Sequence, residues 1–139
     1  METSNRNSAV LHAGYNNTPG SAMARFCVEG NRSFDRTAEE LDIPYRRTGK
    51  LVVGFTEDDR KALGRLKEQG EKNGIQGMKL AGRDFIRQKA PLIRGEFALW
   101  SPTTAILNPF EFTFGMAENA AENGVEFCCG SDFFFIVMD

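Results

Sequence analysis

The side chains able to do chemistry are densest near the start of the chain, in SNRNSAVLHAGYNN at positions 4–17. That stretch holds small polar residues, one arginine and His12, the only histidine among 139 residues. An imidazole is the side chain whose ordinary pKa lets it take and return a proton near neutral pH. Arg6 supplies a charge for an anionic group, and a run of Ser, Asn and Gly lets backbone N–H groups approach a phosphate or a flat ring closely. Positions 4–8 therefore read as a polar loop, 9–11 as a short apolar turn, and 12–14 as an imidazole meeting a flexible hinge. Composition alone favours a plainer role for His12, because an isolated histidine is more often a hydrogen-bonded bystander than a catalyst.

The other soft nucleophiles are Cys27, Cys128 and Cys129, an odd number without C-x-x-C spacing, so neither a disulfide framework nor a metal site is expected. Cys27 falls on an apolar helix face and reads as a small hydrophobe. A net charge of -2 and a pI near 5.5 leave no electrostatic footprint for nucleic acid or an anionic membrane. With 41% hydrophobic and 26% charged residues, the chain suits one core. No run approaches the roughly 20 apolar residues of a membrane span, and the first residues lack the basic and apolar regions of a signal peptide. A cytoplasmic location is the expectation.

Elements must hold these residues in place. Thr18 followed by Pro19 predicts a helix start, running to about Asp42 with Met23, Phe26, Cys27, Phe34, Ala38 and Leu41 near one face and Pro44 as the stop. Gly30 interrupts that helix, either for close packing or by simple tolerance. Residues 48–55 read as a strand, and Thr56 with Asp59 at the capping-box spacing starts a second helix closed by Asn73-Gly74. Residues 78–80 suggest a short strand, 84–89 a short helix ended by Pro91, and 97–100 a further strand. In the loop SPTTAILNP, two prolines and three hydroxyls would suit an ordered pocket wall, with a plain turn as the alternative. Asn108-Pro109 starts the last helix, whose Phe110, Phe114, Ala117 and Ala121 align as a core face, with Gly124 ending it. A strand over 125–129 and the apolar run FFFIVM at 133–138 follow, the latter an aggregation hazard unless it finds a neighbour.

Several of these motifs occur in an order that resembles FAD-dependent oxidoreductases of the D-amino-acid-oxidase superfamily. They are SNRNSAVLHAGYNN, then PGSAMARFCVEGN, IPYRRTGKLVVGF, KEQGEKNG, FALWSPTTAILNPFEF and AENAAENGVEF. The chain is most similar to the glycerol-3-phosphate dehydrogenase and L-2-hydroxyglutarate oxidase branch. Ala9 stands where that family prefers glycine, and the tail from Cys128 departs from its pattern, which suggests truncation or a frame disruption.

The resemblance implies an α+β architecture, a mixed sheet with packed helices. Residues 1–44 would be part of the FAD-binding domain, 45–127 part of the substrate domain with the return to the cofactor domain, and 128–139 an atypical apolar tail. It implies FAD as cofactor, lined by Ser4, Arg6, Asn7, Ser8 and Gly14, with His12 beside ring and substrate as the catalytic base. Thr103, Thr104 and Ile106 would form part of the substrate pocket. The implied reaction is oxidation of glycerol 3-phosphate, a small anionic alcohol, to dihydroxyacetone phosphate. An L-2-hydroxy acid substrate and a non-catalytic interaction module are the alternatives. G-x-G-x-x-G is absent, so the pyrophosphate grip is missing and the chain alone is not expected to retain FAD. The resemblance makes flanking segments of the same enzyme its expected partners.

Overall fold

A computed structural model describes residues 6–130. Ser4, in the opening loop, and the apolar run at 133–138 lie outside the described residues. The elements are β1 (Val10–Leu11), α1 (Ala22–Glu40), β2 (Tyr45–Arg46), β3 (Lys50–Gly54), α2 (Glu57–Lys72), β4 (Lys79–Gly82), α3 (Arg83–Lys89), β5 (Phe97–Ser101), β6 (Ala105–Leu107) and α4 (Pro109–Glu122).

The α+β class holds, but the strands form two small sheets, ordered β1-β6-β2 and β3-β5-β4, instead of one mixed sheet. Every described pairing is antiparallel. The two sheets are linked where β5 runs into β6 through residues 102–104, with Gly49 N–H donating to Thr104 O across the junction. The short β6 inside SPTTAILNP was not expected from sequence; its two flanking partners are what make it a strand.

Helix α1 begins later than Thr18-Pro19 suggests. Those residues form a turn in which Ser21 N–H reaches Thr18 O at 3.1 Å and Gly20 takes φ +80, the pattern of proline and glycine at the centre of a type II turn. Ser21 is the N-cap and accepts from Ala24 N–H. Its buried face is Ala24, Val28, Asn31, Phe34 and Ala38. Met23 and Phe26, expected in the core, are 70% and 60% exposed. Phe34 and Ala38 lie inside as expected, while in the first half of the helix Ala24 and Val28 take the place of Met23 and Cys27, on the same face as the buried, hydrogen-bonded Asn31.

The capping box at Thr56 and Asp59 is present, and Gly74 ends α2 at φ +81 with Ile75 N–H reaching back to Gly70 O. Helices α1 and α4 close by the same pattern, Ile43 N–H to Ala38 O and Val125 N–H to Ala120 O, with Asp42 and Gly124 in the left-handed position. On α4 the expected core stripe is not buried. Phe110 and Phe114 are exposed, while Phe112 packs inward and Gly115 faces Leu41 and Ile43. Residues 125–129 form no strand: no described strand pairs with them and they are exposed.

Two apolar clusters result. Ala13, Tyr15, Val28, Leu63, Ile75, Met78 and Leu99 fill the space between α1, α2 and the second sheet. Phe34, Ala38 and Ile43 gather Leu11, Tyr45, Leu107 and Phe112 beside the first sheet, with the Phe34 ring edge-on to Tyr45 and Phe112. On the outer face of the second sheet Trp100 lies across Gly49, where any Cβ would overlap the indole, and meets Phe85 edge-on at 5.7 Å.

Candidate functional site

The opening stretch is held by its neighbours more than by its own secondary structure. Only Val10 and Leu11 pair with β6, opposite Ile106 and Ala105. Before them Asn7 folds its side-chain oxygen back to Ala9 N–H at 2.8 Å, and Ala9 takes φ 55, a left-handed conformation that glycine adopts without strain. After them Gly14 is buried at φ +94, where a Cβ would fall 3.1 Å from Val28. Gln69 of α2 and its C-cap Asn73 then pin the chain, Asn73 donating to the carbonyls of Gly14 and Asn17 and Gln69 to that of Tyr15.

Asn7, Ala9 and His12 line a cavity of about 410 Å³ together with Phe26, Phe34, Leu107 and Phe112. Gly30 faces this space with nothing within 4 Å of where a Cβ would stand, so the glycine in mid-helix is open to the cavity and not packed against a strand. Arg6 and Ser8 are exposed and do not line the cavity, although Asn7 between them does, and His12 is exposed with no hydrogen-bond partner on its imidazole among the described residues. The volume and the mainly apolar lining with a few polar groups are those of a small-molecule site.

The remaining expected site residues are distributed differently. Gly14 lies beneath the loop instead of on the cavity wall. Thr103 lines a second cavity of about 270 Å³ with Ala13, Val28 and Ile75. Thr104 is buried, its hydroxyl 3.2 Å from that of Ser101, and Ile106 is a half-exposed strand residue opposite Val10. The two cavities meet at Asn31, which lines both.

Sequence reasoning missed Asn31 and Arg47. Asn31 Nδ2 donates to the carbonyls of His12 at 3.1 Å and Thr103 at 3.0 Å, while Arg47 bonds the Asn31 carbonyl, its Oδ1 and Thr103 O. Asp35 holds the Arg47 guanidinium at 2.6 Å and accepts from the Tyr45 hydroxyl, contacts that keep its carboxyl below the usual range, the phenol contributing most. The signal was available: an asparagine on the apolar stripe of a helix is inside only if something satisfies its amide. Cys27 has its thiol pKa raised by burial and donates weakly to His12 O, consistent with a packed thiol.

A sequence profile described as FAD dependent oxidoreductase matches residues 1–134. The chain belongs to this family of FAD-dependent oxidoreductases. Within the family it is 40% identical over 125 residues to a glycerol 3-phosphate dehydrogenase of Caloramator mitchellensis, covering 88% of this chain and 26% of that protein. It is 32% identical over 130 residues to a mitochondrial L-2-hydroxyglutarate dehydrogenase of Nematostella vectensis, covering 94% and 28%. The fold superposes on the FAD-bound L-alpha-glycerophosphate oxidase of Mycoplasma pneumoniae with a TM-score of 0.84 at 25% identity, over 92% of this chain and 35% of that one. The chain thus spans about a quarter of the length of these relatives.

FAD is the family's cofactor, and the residues present fit a flat aromatic group. The cavity is faced by bare helix backbone at Gly30 and by apolar side chains, with Asn7, His12 and Asn31 as its polar lining. No described helix is long and apolar enough to cross a membrane.

Proposed function

We propose that this chain supplies the flavin-facing loop and part of the substrate domain of an enzyme that oxidises glycerol 3-phosphate to dihydroxyacetone phosphate. The observation that carries the reading is the 40% identity, over 88% of the chain, to a protein named for that substrate. When bound, FAD supplies the acceptor for the hydride leaving the carbinol carbon. His12, whose imidazole has no hydrogen-bond partner among the described residues, takes the hydroxyl proton. Arg6, Asn7 and Ser8 contact the cofactor, and Gly14 gives the turn that delivers His12. Thr103 walls the second cavity, which meets the first at Asn31, while Thr104 and Ile106 support that segment, Thr104 through the contact of its hydroxyl with Ser101 and Ile106 by pairing with Val10.

The second reading, an L-2-hydroxy acid as substrate, is favoured by the 31–38% identity to L-2-hydroxyglutarate dehydrogenases from several animals. Both substrates are secondary alcohols carrying an anionic group, so the chemistry asked of His12 is the same. Anaerobic flavin bleaching by each compound, in the flavin-loaded enzyme that carries this segment, separates them. Bleaching by glycerol 3-phosphate alone supports the first reading, and bleaching by L-2-hydroxyglutarate alone overturns it. In the same enzyme His12→Ala should lower kcat/KM roughly 100-fold or more. Arg6→Ala should lower flavin content more than the turnover of flavin-bound molecules. Near-normal turnover of His12→Ala at every pH would remove His12 from the mechanism.

A further inference from the structure

We infer that Asn31 and Arg47 are positioning residues, clamping the strand that ends at His12 to the segment carrying Thr103 and so fixing where the imidazole stands over its cavity. The inference rests on the reading of His12 as proton acceptor. β1 contributes only two paired residues, so the ladder stops before His12. What holds His12 is its carbonyl, which accepts from Asn31 Nδ2 at 3.1 Å and more weakly from Cys27 Sγ at 3.4 Å. The same amide group reaches Thr103 O at 3.0 Å, bridging two segments far apart in sequence, and Leu11 O at 3.5 Å.

An amide can turn over, and a flipped Asn31 would set an oxygen against those carbonyls. Arg47 prevents this by donating to Asn31 Oδ1 at 3.0 Å, so the N–H groups must face His12 and Thr103. Arg47 also donates to the Asn31 carbonyl at 2.7 Å and to Thr103 O. Its planar fork makes these contacts at once while Asp35 holds Nε and Nη2 from the other side at 2.9 and 2.6 Å, and Tyr45 fixes Asp35. Asn31 is 5% exposed, so little water is at hand to replace a lost partner. A relay thus runs from Tyr45 through Asp35 and Arg47 to the one buried amide that joins the two cavities.

Asn31→Asp keeps the size and the contact to Arg47 but removes both N–H groups. Because His12 is the only histidine, its ring gives a single Hε1 resonance in the purified chain. The expected result is a displaced or broadened His12 resonance, with amide exchange at 104–107 at least about tenfold faster and exchange in α2 unchanged. Arg47→Lys, which cannot serve the same set of acceptors, should do the same to a lesser degree, and it decides the matter if Asn31→Asp does not fold. Unchanged resonance and exchange, or equal acceleration at every amide, would overturn the clamp. In the flavin-loaded enzyme either variant should lower kcat about tenfold or more, with flavin content and KM held within about twofold. Loss of turnover in His12→Ala but full turnover in both clamp variants overturns the positioning role. The clamp signature with full turnover in His12→Ala overturns the catalytic reading and leaves the clamp standing.

Discussion

Ala9 holds φ 55 with its N–H tied to Asn7, a conformation in which the methyl group crowds its own backbone. Asp42 does the same at the end of α1, at φ 50, where α2 and α4 use Gly74 and Gly124. Ala9→Gly and Asp42→Gly should therefore each raise stability, Ala9→Gly by about 1 kcal/mol, read as a higher denaturant midpoint. Gly74→Val and Gly124→Val should each lower it by about 1 kcal/mol or more. For Gly124 the loss would be purely conformational, because nothing lies within 4 Å of its Cβ position. Unchanged midpoints would mean that the loop at Ala9 relaxes freely.

Among the elements, α2 depends most visibly on its first turn. Thr56 Oγ1 accepts from Asp59 N–H, while the Asp59 carboxylate accepts from the N–H groups of Phe55 and Thr56. Those backbone donors hold the Asp59 carboxyl below its ordinary value. Its contribution is thus complete above the usual carboxylate pKa of about 4 and fades as pH falls through the lower native value. Thr56→Ala should cost about 1 kcal/mol at neutral pH. Asp59→Asn should remove part of the acid-side fall in thermal midpoint, and an identical fall in both proteins would take Asp59 out of the acid limb.

Caps of this kind were legible in the sequence because their signals are local: Thr56 with Asp59, Asn108 with Pro109, and glycine after asparagine at 74 and 124. What could not be read locally is which face of a helix turns inward. On α1 the spacing favoured Met23 and Phe26, but Ala24 and Val28 lie inside, on the face of a buried asparagine bonded to residue 103. On α4 three phenylalanines compete, and Phe112 is inside because Phe34 stands opposite. The opening loop was recognisable as a polar run carrying an imidazole, but the cavity beside it needs helix and strand from elsewhere in the chain.

At the scale of the whole molecule, both small sheets end in edge strands that no further described strand pairs, and Met23, Phe26, Phe110, Phe114 and Met116 are all more than 40% exposed. Apolar faces of this extent seek cover. The chain in isolation should self-associate, and Phe26→Glu combined with Phe114→Glu should shift it toward monomer in sedimentation velocity without lowering its thermal midpoint. A monomeric parent chain at high concentration, or unfolding of the variant, would show those rings to be satisfied where they are.

Trp100 is the only indole in the chain, seated on Gly49 with the Phe85 ring at its edge and Lys89 Nζ 5.1 Å from its face. Intrinsic fluorescence excited at the red edge of the spectrum therefore comes from one point on the outer surface of the second sheet. Its emission will follow the opening of β3 and β5 and stay blind to fraying at α4. A flavin taken up by this chain would quench it by energy transfer. One fluorimeter cuvette can then tell loss of the sheet, a red shift at constant quenching, from loss of the cofactor, a rise in intensity without a shift.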